Sequence, residues 1–303
     1  MMQKAKGKGK GGRKFPKRKM FLAFFLLLLF FCAGCGAAKG KDASIRVFLV
    51  RHGQTDANVQ SILAGSGTDS PLNDTGIQQA KDLGKAFADA GITFDQAYSS
   101  QMQRAQNTAS YILQETGQES MPVVGMSEFN DLSWGSLEGA PIAQAQSQYG
   151  TAFEDYLADD GSGASGRSVS SEAQNPSGGN VSAGSQDPSG GSASADAQAS
   201  SDESASSDAD NPFGAENKAE YLKRFQEGMD SVVKAAQDKK DTKNILVVTH
   251  SAAVYWLKQQ FDNAPDGLDN ASVTILEYKD GKWTLVDGNI TGYSRLQDDI
   301  KDE

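Results

Sequence analysis

The stretch Ile45-Arg46-Val47-Phe48-Leu49-Val50-Arg51-His52-Gly53-Gln54-Thr55-Asp56-Ala57-Asn58 sets an apolar, β-branched run directly against a polar turn. IRVFLV has the composition of a strand, and the glycine after Arg51-His52 is where such a strand turns away. A second run of the same kind, Asn244 to Thr249 (NILVVT), ends in Thr249-His250-Ser251. In open α/β sheets ligands bind beyond the carboxyl ends of the strands. His52 and His250 are the only two histidines in the chain, and both fall at such an end, one of them beside an arginine.

Outward from these two strands, short apolar runs alternate with helical periodicity. Gly76 to Ala90 carries Ile77, Ala80, Leu83 and Phe87 at helical spacing, Phe94 to Ser99 follows as a strand, and Gln101 to Glu115 as a helix. An apolar run at Pro122 to Met126 and a helix from about Glu216 to Gln237 complete the alternation. The pattern predicts a three-layer α/β/α fold, a mostly parallel sheet with helices on both faces. Ser272 to Tyr278 and Lys282 to Val286 flank Lys279-Asp280-Gly281, a turn signal that predicts an antiparallel C-terminal hairpin.

The ends and the middle of the chain have a different composition. The first twenty residues hold nine Lys and Arg and no acid, and run into the apolar stretch Met20 to Ala33. That is the layout of an export signal, and its apolar part is shorter than the roughly 20 residues of a spanning helix. The stretch closes on Cys32-Ala33-Gly34-Cys35, which resembles a bacterial lipobox with Cys32 in place of the usual leucine. The resemblance implies a signal at 1–34, lipidation of Cys35 and a tether at 35–43. The protein would then be exported and held by its lipid on the outer face of the bacterial cytoplasmic membrane. A conventional signal, cleaved or uncleaved, is the alternative.

Residues 159–211 are mostly Ser, Gly, Ala, Asp, Asn and Gln, with no aromatic, two valines (Val169, Val181) and one basic residue, Arg167. Such a segment cannot bury enough apolar surface to offset its ordering entropy, so it is expected to be a disordered acidic insertion. The globular part is then 44–158 plus 212–303, one interrupted domain. Without the signal the chain carries 20 basic against 39 acidic residues, a formal net charge of −19. This balance excludes nucleic acid as a partner.

Five stretches in order carry a family resemblance. Arg51-His52-Gly53-Gln54-Thr55-Asp56-Ala57-Asn58 resembles the RHG motif of the histidine phosphatase superfamily, the phosphoglycerate-mutase-like fold. Asp69 to Ala80 is similar to the family's approach to its first helix, and Tyr98 to Ala109 to its second-arginine motif around Arg104. Leu132 to Gly139 resembles its Gly-x-x-Glu-Gly acid loop, and Val247 to His250 its second-histidine strand.

The resemblance implies a phosphomonoester hydrolase working through a phosphohistidine on His52, with Arg51, Arg104, His250 and Asn58 around the phosphate. The residue types suit that chemistry. A phosphoryl group in transfer spreads negative charge over its equatorial oxygens and needs fixed donors and an in-line nucleophile. Positive charge from Arg51 and Arg104 keeps His52 unprotonated, as a nucleophile must be. A carboxylic acid must protonate the leaving oxygen and later take a proton from water. Counting back from Gly135 in the family pattern places it at Asp131, with Glu128 as the alternative acid. Glu138 has a structural reading in its loop, Thr68 and Ser70 could touch substrate or begin a helix, and Ser251 departs from the family's glycine.

No cofactor is expected, and no metal, because the mature chain holds no His/Cys/Asp cluster with ligand spacing. The expected partner is a small phosphorylated substrate or a phosphopeptide. Two alternatives stand beside hydrolysis: a phosphoglycerate-mutase-type phosphotransferase, which export disfavours, and a non-catalytic binding lipoprotein, which retention of both His, both Arg and an acid disfavours.

Overall fold

Val47 and Leu49 point to one side of strand β1 (Ile45–Arg51) and Phe48 and Val50 to the other, all essentially without solvent exposure. A strand apolar on both faces has to lie inside a sheet with cover above and below. The computed structural model, which describes residues 44–159, 211–239 and 241–297, gives it that surrounding. The sheet has six strands in the order β3-β2-β4-β1-β5-β6, formed by β2 (Gln96–Ser100), β3 (Val123–Met126), β4 (Asn244–Thr249), β5 (Val273–Lys279) and β6 (Lys282–Ile290). β3, β2, β4 and β1 pair in parallel, and β5 and β6 run antiparallel at the far edge. The expected hairpin closes through Asp280 and Gly281, both at positive φ, the conformation an Asp-Gly turn supplies. The helices are α1 (Asp56–Val59), α2 (Asp74–Asp89), α3 (Gln103–Glu115), α4 (Ile142–Tyr149), α5 (Thr151–Ala158), α6 (Lys218–Asp238) and α7 (Ala253–Gln260).

Two cores result. Phe48, Val50, Leu246 and Val248 face α2 and α3, where Phe48, Phe87 and Phe94 meet edge to face with centroids 5.2–5.6 Å apart. Val47, Leu49, Ile245 and Val247 face α6, α7 and the 129–156 segment, around Phe129, Phe225 and Trp256. This is the three-layer fold expected from the alternation, with β2, β4 and β1 inside the sheet and both histidines directly after the carboxyl ends of β1 and β4.

Helices α1, α4, α5 and α7 were not read from the sequence. α4 and α5 are 8 residues each, too short to show a clear helical period, and Gly150 at positive φ breaks the pattern between them. The insertion expected at 159–211 begins and ends on ordered chain. Lys218 Nζ donates to the carbonyls of Tyr156, Leu157 and Asp159, and the Asn211 side chain exchanges hydrogen bonds with the Ala215 backbone. Residues 160–210, the expected signal at 1–34, Cys35 and the tether to 43 lie outside the described residues. Among the described residues no helix is long and apolar enough to cross a membrane.

Candidate active site

β1 and β4 are neighbours in parallel register, Arg51 opposite Thr249, so the residues that follow them emerge side by side. The imidazoles of His52 and His250 therefore meet, with ring centroids 5.1 Å apart at 61°. Both are buried, at 3% and 0% exposure. His52 is held by its backbone: its N–H donates to the Thr249 carbonyl, and its own carbonyl accepts from the Ala271 N–H and from Asn270 Nδ2. Gly53 lets the turn pass against the start of α2, since a Cβ there would collide with the Gly76 carbonyl, and a Cβ on Gly76 would strike the backbone of Gln54. Neither glycine can be replaced without moving His52.

The His52 ring contacts the Gly53 carbonyl through Nδ1 at 2.7 Å. A carbonyl only accepts, so Nδ1 carries the proton and Nε2 is left with its lone pair. Burial, Arg104 and Arg51, in that order, hold the ring well below the usual histidine pKa. His250 is likewise held low by burial first, then by Arg104. Its Nδ1 accepts from Arg104 Nε at 3.3 Å, which puts its proton on Nε2, a buried donor with no partner.

The two arginines differ. Arg104 is 1% exposed and every N–H of its fork is engaged. Nε–H goes to His250, Nη1 to the Thr68 carbonyl and Asp69, and Nη2 to the Ala64 and Gly65 carbonyls and to Asp131 at 3.1 Å. Arg51 spends Nη1 on the Leu268 carbonyl at 2.5 Å and leaves a buried Nε without a partner. Arg104 thus braces the 64–69 loop, while Arg51 retains donors for an incoming anion. Asn58 closes the capping box of α1: its Oδ1 accepts from the Thr55 N–H, the Thr55 hydroxyl and Asn270 Nδ2. With the oxygen so fixed, its amide nitrogen is the end free to donate.

Of the two candidate acids, Asp131 sits in the cluster. It is 8% exposed, its Oδ2 is 3.1 Å from Arg104 Nη2 and 3.5 Å from His250 Nδ1, and burial pushes its carboxyl up against the opposing pull of Arg104. Because His250 is neutral, the 3.5 Å approach is no ion pair. Glu128 is half-buried, takes a hydrogen bond from Ser127 Oγ, and has its Cβ against Gly228 of α6. Glu138 accepts from the N–H groups of Gly65, Gly67 and Trp134, locking two loops together. Asn73, and not Thr68 or Ser70, caps α2.

Asn270, Thr108, Arg224 and Glu216 were missed in the sequence. Thr108 Oγ accepts from the Gly53 N–H and donates to the Arg104 carbonyl, linking the two motifs. A polar residue in a helix and an asparagine in a loop carry no distinguishing signal in a single sequence.

A family model described as histidine phosphatase superfamily (branch 1) matches residues 47–175 and 190–291. A 2,3-bisphosphoglycerate-dependent phosphoglycerate mutase of Bartonella quintana is 37% identical over 102 residues, 34% of this chain and 49% of that protein. A broad-specificity phosphatase of Saccharomyces cerevisiae is 38% identical over 102 residues, 34% of this chain and 44% of that protein. The chain spans about half the length of the curated relatives it matches. Among solved structures, a phosphoglycerate mutase from Bacillus anthracis superposes with a TM-score of 0.63 at 22% identity, covering 85% of this chain and 98% of that one. A mycobacterial glucosyl-3-phosphoglycerate phosphatase superposes at 0.57 with 18% identity, covering 81% and 98%. At these identities the superpositions speak for the fold alone.

Proposed function

The chain belongs to the histidine phosphatase superfamily, branch 1, and on that premise we propose that it hydrolyses phosphomonoesters through a phosphohistidine on His52, outside the cytoplasmic membrane. The observation that carries the reading is the pair of fixed tautomers: His52 turns the lone pair of Nε2 toward the site while His250 turns an unpartnered Nε2–H toward it. A nucleophile and a donor for the charge that develops on phosphorus are what an in-line transfer requires.

In the first half-reaction His52 Nε2 bonds to phosphorus as the P–O bond to the leaving group breaks, and Asp131 gives its proton to the departing oxygen. In the second, water attacks the phosphohistidine, Asp131 takes the water's proton, and the P–N bond breaks to release phosphate. Arg51, His250 and the Asn58 amide meet the equatorial oxygens, and Arg104 fixes His250 and the 64–69 loop. Burial serves Asp131 by keeping its carboxyl protonated at higher pH than an exposed one.

Between Arg104 and Lys218 the chain has one Lys or Arg, Arg167, which lies outside the described residues. A mutase must grip a substrate bearing a second anionic group while it holds the first, and this long stretch offers little positive charge for that grip. The scarcity favours release of phosphate to water over return to a phosphorylated alcohol. The export pattern in residues 1–35 supports an extracytoplasmic site of action.

The test is a chelator-treated assay of protein lacking residues 1–35 against small sugar phosphates, aryl phosphates and phosphopeptides. Inorganic phosphate release, with acid-labile label on His52 that is lost in His52→Ala, is the expected result. Label in the His52→Ala protein, or isomerisation without phosphate release, would overturn the reading.

A further inference from the structure

Asp131 stands on an irregular segment. Between the short turn Ser127–Phe129 and the turn Gly135–Leu137 no sheet or helix holds residues 130–134. An acid so placed needs its backbone fixed from elsewhere, since an error of about 1 Å in a reacting group costs on the order of a hundredfold in rate. The fixing comes from α6. Arg224 Nη1 donates to the carbonyls of Glu128 at 3.0 Å, Asn130 at 2.8 Å and Ser127 at 3.4 Å, and Nη2 donates to the carbonyl of Asp131 at 3.0 Å.

The guanidinium is itself immobilised. Nε and Nη2 pair with the two carboxylate oxygens of Glu216 at 2.6 and 2.7 Å, and the group lies over the Tyr221 ring, 4.6 Å from its centroid. Glu216 then reaches the far side of the acid: its Oε2 accepts from the Ser133 N–H at 3.2 Å, and its own N–H donates to the Ser133 carbonyl at 2.8 Å. The pair therefore grips the chain immediately before and after Asp131. The planar fork meets these carbonyls and both Glu216 carboxylate oxygens at once, more partners than the three donors of an ammonium can serve.

We infer that Arg224, held by Glu216, is the positioning residue that sets the Asp131 carboxyl against the leaving oxygen. The inference rests on Asp131 being the general acid. The direct contact of Arg224 with Asp131 is to the backbone carbonyl and not to the carboxylate, and the longer-range pull of its charge on Asp131 and His250 is kept in Arg224→Lys.

The experiment compares Arg224→Gln, Arg224→Lys, Asp131→Asn and the Arg224→Gln/Asp131→Asn double variant on an alkyl phosphate and on an activated aryl phosphate, with melting temperatures. A displaced acid should cost Arg224→Gln about tenfold or more in kcat on the alkyl ester and less than about threefold on the aryl ester, with KM little changed. Arg224→Lys, which keeps the charge but loses the fork, should show the same selectivity, and it carries the test if Arg224→Gln is unfolded at the assay temperature. The double variant should be no slower on the alkyl ester than Asp131→Asn alone. Equal losses on both esters, or additive losses in the double variant, would show that Arg224 supports the fold generally and would overturn the inference. If Asp131→Asn itself treats the two esters alike, the assignment of the acid fails and this inference with it; if Asp131→Asn discriminates and both Arg224 variants do not, the positioning role alone fails.

Discussion

Arg104 Nε–H donates to His250 Nδ1, and that single bond decides which nitrogen of His250 carries its proton. The ring cannot rest as the other tautomer without facing two hydrogens across 3.3 Å. Arg104 therefore acts on the pocket largely through what it orients, its own donors being spent on His250, Asp69, Asp131 and three backbone carbonyls. Burial first, and then the nearby positive charge of Arg104, keep both imidazoles neutral.

In the proposed mechanism, removing His250 takes away the donor for the equatorial oxygens, and it leaves Arg104 Nε without its acceptor. His250→Ala should lower kcat by about 10²–10³, the usual cost of a lost transition-state donor. The loss should be similar for alkyl and aryl esters, because the charge on phosphorus is common to both. Rapid-quench measurement of His52 labelling separates this from a binding defect; a variant that labels at the wild-type rate would show that Nε2–H does not serve the transfer.

The two buried histidines also make stability depend on pH. Their folded pKa values lie well below the unfolded value of about 6.5, so the folded protein keeps both rings neutral where the unfolded chain protonates them. Stability is then fully present above about pH 6.5 and is lost as pH falls below it, by up to about 1.4 kcal/mol per pH unit for each ring. Asp131 has the opposite sign: its folded pKa is raised, so its contribution is present at low pH and fades as pH rises through that raised value. The melting temperature of His52→Asn should fall less steeply from pH 7 to 5 than that of wild type. Parallel curves would mean that His52 takes up its proton in the folded protein.

The sheet, its two faces and both site histidines were legible because each rests on local pattern. IRVFLV and NILVVT are apolar on alternate and intervening residues alike, and Asp280-Gly281 states its own turn conformation. What was not legible depends on partners distant in sequence. Arg224 is a helix residue like any solvated arginine until α6 packs beside 127–133, and Asn270 becomes a clamp on Asn58 only because β1 and β5 are neighbours. Arg104 was found through its motif, but that its fork would be saturated by the chain's own carbonyls follows from the closure of the 64–69 loop.

Export is open to a direct test in whole cells. If Cys35 is lipidated, full-length protein should partition into membranes, and Cys35→Ser should be misprocessed or released, since one lipid-bearing residue would be the anchor. Membrane fractionation and the mass of the mature N-terminus are the measurements. Unchanged processing and fractionation of Cys35→Ser would favour a conventional signal at residues 1–34.

The choice of acid has a sharper test, because the two carboxylates differ in what surrounds them. Asp131 lies among Arg104, His250 and the buried pocket, and burial raises its pKa, whereas Glu128 lies against α6. Without its acid the enzyme must expel an alkoxide unassisted from an alkyl phosphate, while an activated aryl anion leaves readily. Asp131→Asn should therefore lose about 10²–10⁴ in kcat on an alkyl ester and far less on an aryl ester, and Glu128→Gln should stay near wild type on both. The pH profile adds a second readout. In wild type, kcat/KM on the alkyl ester should fall as pH rises through a value above the ordinary carboxylate range, as the proton on Asp131 is lost. In Asp131→Asn that limb should disappear while the acidic limb set by His52 remains. If Glu128→Gln shows the ester discrimination and Asp131→Asn keeps the alkaline limb, the proton comes from Glu128, and residues 127–131 must rearrange when substrate binds.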